Sequence, residues 1–242
     1  MRPVTSEATS HPVLIFWIAA GWVGFLILPW YGIQGGIFSL EWLVDGYPFD
    51  TDFAPAAFLT GQGEKLWLVP LIPPLIAPWF VARRSKTDPL YAKVLILSGA
   101  FGFGWLIAQG FGIGIRGWSF DWLEALFGPL DDRQFGMGYG AMLLAASFLF
   151  VFTQGIAARG AINGDVFVVS AIGGVIAIVA TFVFFPIAKM LTAAFITEDG
   201  GYSFGVFAGK FFDDRLWGLD CLITGGRCGV AWNSLLVVLA VD

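Results

Sequence analysis

Val94 to Ile115 reads VLILSGAFGFGWLIAQGFGIGI, an apolar run without one acidic or basic residue. A bilayer's hydrocarbon core is crossed by about 20 such residues in a helix, so this stretch predicts a membrane span. Four further runs repeat the pattern: Val13 to Ile33, Leu66 to Ala82, Met137 to Ala158, and Val166 to about Ala188. The charged residues are confined to the breaks between them. The fold class expected is an all-α polytopic membrane protein with five complete transmembrane helices and the start of a sixth at Ala231 to Asp242. That last run is too short to cross by itself.

Composition agrees. The 242 residues are 57% hydrophobic and only 13% charged, far below the ~25% typical of soluble domains. Eleven Trp and 25 Phe supply side chains of the kind enriched at membrane interfaces. A net charge of -5 argues against a nucleic-acid partner, which calls for a basic patch. One histidine, His11, excludes bis-histidine haem ligation and weighs against histidine-rich metal sites and Ser-His-Asp catalysis.

Outward from the central run, residues 1–12 form a polar tail. Val13–Ile33 is longer than a signal-peptide core and ends in bulky Pro29, Trp30 and Tyr31, so it reads as an anchor, not a cleaved leader. Leu66–Ala82 carries Pro70, Pro73, Pro74 and Pro78, which predict a kinked helix packed against protein. Gly110 and Gly114 have the G-x-x-x-G spacing of close helix packing. Arg2, Arg83, Arg84, Lys86, Lys93 and Arg159 lie in short segments on one side of the spans. Lys65, Arg116, Arg133, Lys210, Arg215 and Arg227 are spread over longer loops on the other. Short basic loops mark the cytoplasmic face, so the N-terminus is expected inside and the Gly200 region outside. Lys189 sits where it can snorkel to an interface.

Residues 31–43 (YGIQGGIFSLEWL) and 111–123 (FGIGIRGWSFDWL) share Gly32/Gly112, Ser39/Ser119, Trp42/Trp122 and Leu43/Leu123. Each Ser-x-acid-Trp-Leu piece predicts a short interfacial helix with a serine cap. Duplication of a helix hairpin and independent convergence both account for the match.

Few motifs carry chemistry. Gly205 to Lys210 resembles a phosphate loop but has a residue too few between its glycines, and Phe211 replaces the Ser or Thr that binds magnesium. Cys221 and Cys228 enclose a short glycine-containing loop; on an oxidising face they form a disulfide, and otherwise they pack as thiols. Their spacing is not C-x-x-C, and two thiols do not make a metal site. Gln109, Thr153 and Gln154 are the most polar members of their spans, which otherwise read as scaffold.

From Pro186 to Leu239 the chain resembles binding-protein-dependent ABC transporter permeases. The matching residues are Pro186, Ala194-Phe195, Gly200 to Phe204, and Asn233-Ser234-Leu235-Leu236. LWGLDCL (Leu216 to Leu222), RCGVAWNSL (Arg227 to Leu235), GMGYGA (Gly136 to Ala141) and ARGAINGDVFV (Ala158 to Val168) are similar to the ferric-iron branch. The resemblance implies a non-enzymatic permease subunit of the bacterial inner membrane, without a cofactor of its own. Its partners are the lipid bilayer, cytoplasmic ATPase subunits and a periplasmic substrate-binding protein. Residues 13–195 then form the five-helix membrane region, and 196–230 a periplasmic loop whose partner-facing residues are Tyr202, Trp217 and Arg227. Residues 231–242, with Asn233 and Ser234, open the permease core. The EAA-type loop that docks on the ATPase is expected beyond Asp242, so the chain reads as a truncated N-terminal portion. The alternatives are an accessory or assembly membrane protein complete at this length, and a membrane thiol enzyme using Cys221 and Cys228.

Overall fold

Apolar runs become helices until proline, glycine or a competing backbone partner stops them. The computed structural model describes residues 11–32, 40–44, 46–114, 117–130, 136–197, 201–219, 221 and 228–241. In chain order the helices are α1 Pro12–Leu26, α2 Ala56–Gly61, α3 Ile72–Val81, α4 Pro89–Gly112, α5 Asp121–Phe127 and α6 Tyr139–Ala158. They continue with α7 Val166–Ala194, α8 Phe204–Phe211, α9 Asp214–Trp217 and α10 Val230–Val241. A two-stranded antiparallel ladder pairs β1 Ile113–Gly114 with β2 Gly117–Trp118. The chain divides into two compact units, Met1–Ala177 and Ile178–Asp242.

Among the described residues three helices, α4, α6 and α7, are long and apolar enough to cross a membrane. The first two expected spans take a different form. α1 stops at Leu26 after 15 residues. That is about 22 Å of helix, short of the ~30 Å hydrocarbon core. Pro29 is the cause: it disfavours helical backbone at Leu28 and removes a donor. The chain then runs extended, with Pro29 bridging Pro55 and Tyr31 bridging Met137. Trp30 N donates to Ala54 O at 3.1 Å. The proline-rich run splits into a 3-10 segment, Leu66–Leu71, and α3. Pro73 and Pro74 fall in the first turn of α3, where missing N–H groups cost little. Only Pro70 and Pro78 lie inside helical segments.

α4 begins at Pro89, five residues before the expected Val94 boundary, because Asp88 caps it by accepting from Leu90 N at 2.8 Å. Arg84 donates to the same carboxylate at 2.9 Å. These bonds, the guanidinium's first, hold the Asp88 carboxyl below the ordinary carboxylate range.

In unit 1, α4 and α6 pack most extensively; α1 lies on α6, α3 lies on α4, and α1 meets α3 more lightly. One buried cluster joins Leu14 and Ile18 of α1 to Val81, Tyr91, Leu95 and Val151. It gathers the start of α1, the end of α3, the start of α4 and the end of α6. A second gathers Phe25, Trp67, Leu71, Leu106, Ala141 and Leu144 from the opposite ends. Successive helices therefore alternate in direction. His11, whose Nε2 lies 2.9 Å from Arg84 O, shares the short-turn end with the 82–88 and 159–165 connections.

Glycine sets the spacing of the central pair. A Cβ on Gly99 would sit 2.5 Å from Phe148 O and 2.6 Å from Phe152 N. One on Gly155 would meet Ile96 N at 2.8 Å. Gly24 and Gly140 do the same for α1 and α6, each facing the other's carbonyl at 2.7 and 2.5 Å. The packing glycines are thus not the expected pair, since α4 ends at Gly112 and Gly114 lies in β1.

The sequence repeat takes two backbone forms. Tyr31 and Gly32 pair across to Met137 and Gly136, whereas 113–118 pair with themselves. Ser119 does not cap α5: its N–H bonds Gly112 O at 2.8 Å next to the ladder, and Phe120 takes the cap position. Glu41–Leu43 is a single 3-10 turn, and Ser39 lies outside the described residues.

α7 starts where Asp165 Oδ1 accepts from Phe167 N and Val168 N at 2.9 and 3.1 Å. Its hydrogen-bond ladder widens to a π-turn at Ala180–Phe184, just before Pro186. Proline there lacks a donor and crowds the carbonyl of residue i−4, Phe182. Almost none of α7 is buried, with Phe167 exposed at 81% and Phe182 at 75%.

Gly99→Val should destabilise unit 1 by about 1–3 kcal/mol, as overpacking does. Gly104 has nothing within 4 Å of its Cβ position. Gly104→Val should stay within about 0.5 kcal/mol of the native chain. Unfolding in detergent micelles compares them, and equal shifts would remove the close backbone approach.

Candidate functional site

The segment that carries the sequence resemblance is built around the head of α10. Asp213 caps α9 by accepting from Arg215 N at 2.8 Å. Trp217, the last residue of α9, donates from Nε1 to Phe211 O at 2.7 Å and stands edge-on to the Phe211 ring. Its own carbonyl accepts from Trp232 Nε1 at 2.9 Å. Gly229 N donates to Gly218 O at 2.8 Å. A Cβ on Gly229 would collide with Leu216 O, so only glycine permits this crossing.

Asn233 lies in the first turn of α10 and does not start it, because the helix begins at Val230. Its Nδ2 donates to Cys228 O at 3.0 Å, satisfying a carbonyl just ahead of the helix. Ser234 Oγ bonds back to Val230 O at 2.9 Å. Cys221 and Cys228 are joined in a disulfide, with Cα atoms 4.7 Å apart. The structure therefore brings Trp217, Cys228, Trp232 and Asn233 into one locked turn. Tyr202 bridges Ile196. Arg227 lies outside the described residues.

This arrangement is suited to presenting a rigid surface. The two sulfurs are held in a bond. Among the described residues no group of three His, Cys, Asp or Glu side chains could hold a metal ion. Gly205 to Lys210 is helical backbone within α8, and Lys210 Nζ donates to Ile196 O at 3.2 Å. A phosphate cradle needs free N–H groups in a loop, which a helix interior consumes.

A second cluster escapes the sequence reading. At the long-loop end of unit 1, Trp67 is buried with its carbonyl accepting from Trp105 Nε1 at 2.8 Å. Trp118 stands edge-on to Trp67 at 5.1 Å between centroids and donates to Gly128 O at 2.8 Å. Lys65 Nζ lies 5.3 Å from the Trp67 ring and 5.9 Å from the Tyr31 ring. The sequence signal is thin: Tyr31, Lys65, Trp67, Trp105 and Trp118 come from four separate chain segments. Lys65 counts there only as one more loop charge.

Gly229→Val should expose the amides of 213–219 and 229–235 to hydrogen exchange at least about tenfold faster, the effect of roughly 1.4 kcal/mol of lost local stability. Trp232→Phe should act in the same direction and more weakly. Unchanged exchange in both variants would show that the turn is not locked by these residues.

No family model, curated protein or solved structure matches the chain.

Proposed function

We propose that the chain is the N-terminal membrane region of a permease subunit in an ATP-driven, binding-protein-dependent ABC importer of a bacterial inner membrane, with ferric iron as cargo. The observation that carries this reading is the head of α10. Asn233 and Ser234, the residues of the permease-like motif, are tied into a locked turn leading an apolar helix with Leu235, Val237, Val238 and Leu239 exposed. Such a helix needs hydrocarbon or other apolar helices around it. The long α7, almost none of which is buried, has the same need.

In this reading five segments cross the bilayer, with the N-terminus in the cytoplasm. α4, α6 and α7 cross as helices. α1 and the Leu66–Val81 segment complete their crossings with irregular backbone buried against protein, the setting in which such backbone is tolerated at membrane depth. The alternating connections support it, with Arg83, Arg84, Lys86 and Arg159 at one end. The chain itself does no covalent chemistry. ATP hydrolysis belongs to separate cytoplasmic subunits, and the 196–230 loop with Tyr202, Trp217 and Arg227 faces the periplasmic binding protein.

Single cysteines at Gly63 and Ser85, introduced with Cys221 and Cys228 replaced by serine, test the sidedness. An impermeant thiol reagent should label Gly63→Cys in intact cells and Ser85→Cys only after permeabilisation. The reverse pattern would invert the topology.

The complex is tested by purification from native membranes and by a photoreactive group at Trp217. An ABC-type ATPase should co-purify, and the iron-loaded binding protein should be captured. A chain that purifies without an ATPase, and whose deletion leaves ferric-iron uptake unchanged, would instead be the accessory membrane protein.

A further inference from the structure

In unit 2, α8 exposes an aromatic face. Phe204 and Phe211 lie seven residues apart on one side of the helix, with Phe212 beside them at its C-terminal cap. They are 72%, 41% and 74% exposed. The helix is tied along its length to the end of α7. Ser203 N, at its head, donates to Phe195 O at 2.9 Å. Phe207, at its middle, stacks on the Phe195 ring at 4.4 Å between centroids. Lys210 Nζ, near its end, donates to Ile196 O at 3.2 Å. Start, middle and end of α8 all meet the two residues that follow Ala194, so α8 lies across the end of α7 instead of leading away from it.

That attachment sets the level at which α8 sits. α7 has 29 residues. At 1.5 Å per residue it is about 43 Å long, more than the ~30 Å hydrocarbon core, so a crossing α7 ends among the headgroups. Ile187, Met190 and Leu191 in its last turns are exposed. The apolar surroundings they require extend to a helix tied at Phe195 and Ile196. Clustered phenylalanines left in water are an apolar patch of the kind that marks a contact surface. The polar residues fix the depth. Lys210 ends α8, and Asp213, Asp214 and Arg215 follow at once. Such charges are costly in hydrocarbon and well solvated at the headgroups.

We propose that α8 lies flat in the lipid interface at the C-terminal end of α7, with Phe204, Phe211 and Phe212 inserted between phospholipid headgroups and the first acyl carbons. The partner is the bilayer surface itself. Phe207 and Lys210 hold the helix to α7, and the Phe204 side rests on lipid. As a foot on the membrane, α8 fixes the depth at which α7 ends. Trp217, whose Nε1 donates to Phe211 O at 2.7 Å, passes that anchorage to the turn at the head of α10. The proposal rests on α7 crossing the bilayer and not on the transport reading.

The unmodified full chain, reconstituted in vesicles of phosphatidylethanolamine and phosphatidylglycerol, tests it with two carbene probes. One is a phospholipid bearing a diazirine near the top of its acyl chain, the other a water-soluble diazirine. Adducts are mapped by mass spectrometry. The lipid probe should modify Phe204 and Phe212 along with α7, and the aqueous probe should leave both phenylalanines unmodified. Phe204→Gln combined with Phe212→Gln should lower lipid adducts on residues 204–212 about tenfold or more, since burying one phenylalanine against hydrocarbon is worth about that factor. Helix content by circular dichroism shows that this variant is folded. Lipid adducts on α7 alone, with aqueous adducts on Phe204 and Phe212, place α8 in water and overturn the proposal. Adducts from neither probe at the two phenylalanines place a protein there, a second copy or another chain, and overturn it too, as does a double variant whose lipid adducts are unchanged. An α7 that escapes the lipid probe removes the membrane crossing together with the proposal.

Discussion

The most extensive helix packing in unit 1 is that of α4 on α6, and α1 and α3 are arranged around that pair. Gly99 and Gly155 have no side chain to hold the two helices apart, so each backbone reaches the other's peptide groups. In a membrane, where lipid tails are as apolar as leucine, such packing is a main source of helix association. α1 then settles on α6 through Gly24 and Gly140, with Ser147 Oγ donating to Trp17 O at 2.7 Å. Trp17 stacks on Phe150 along the same seam. The proline-rich α3 approaches without such a glycine seam, and it rests on α4.

The two ends of this bundle differ in their physics. At the short-turn end the connections are tight and basic, and α4 and α7 are started by aspartates that satisfy their first N–H groups. At the other end the connections are long and aromatic. Tryptophan N–H groups there bind carbonyls from distant segments, Trp105 to Trp67 and Trp118 to Gly128. Backbone around Pro29 is satisfied by pairing with Pro55, Ala54 and Met137 instead of by helix.

Unit 2 depends on a different device. Gly229 passes the backbone of Leu216 too closely for any other residue, and the disulfide, Trp232 and Asn233 hold that crossing. A rigid turn at the head of an exposed apolar helix suits a surface that meets other proteins. That suitability is what links the locked geometry to the proposed permease role.

Charge-free runs of about 20 residues were enough to identify α4, α6 and α7, because the bilayer requirement depends on length and hydropathy alone. Capping at Asp88 and Asp165, and the break forced by Pro29, follow from local stereochemistry and were open to reading in the same way. What only the tertiary structure decided is which residues meet. Glycine is common along α4, and its sequence does not say that Gly99 faces Phe148 while Gly104 faces nothing; that is set by the rotation of one helix against another. The 31–43 and 111–123 segments share residues but not partners, since the first finds Gly136 and Met137 across the bundle and the second folds on itself. Tyr31, Lys65 and Trp67 became neighbours for the same reason: the end of α1 meets the starts of the 3-10 segment and of α6, and no local pattern records that.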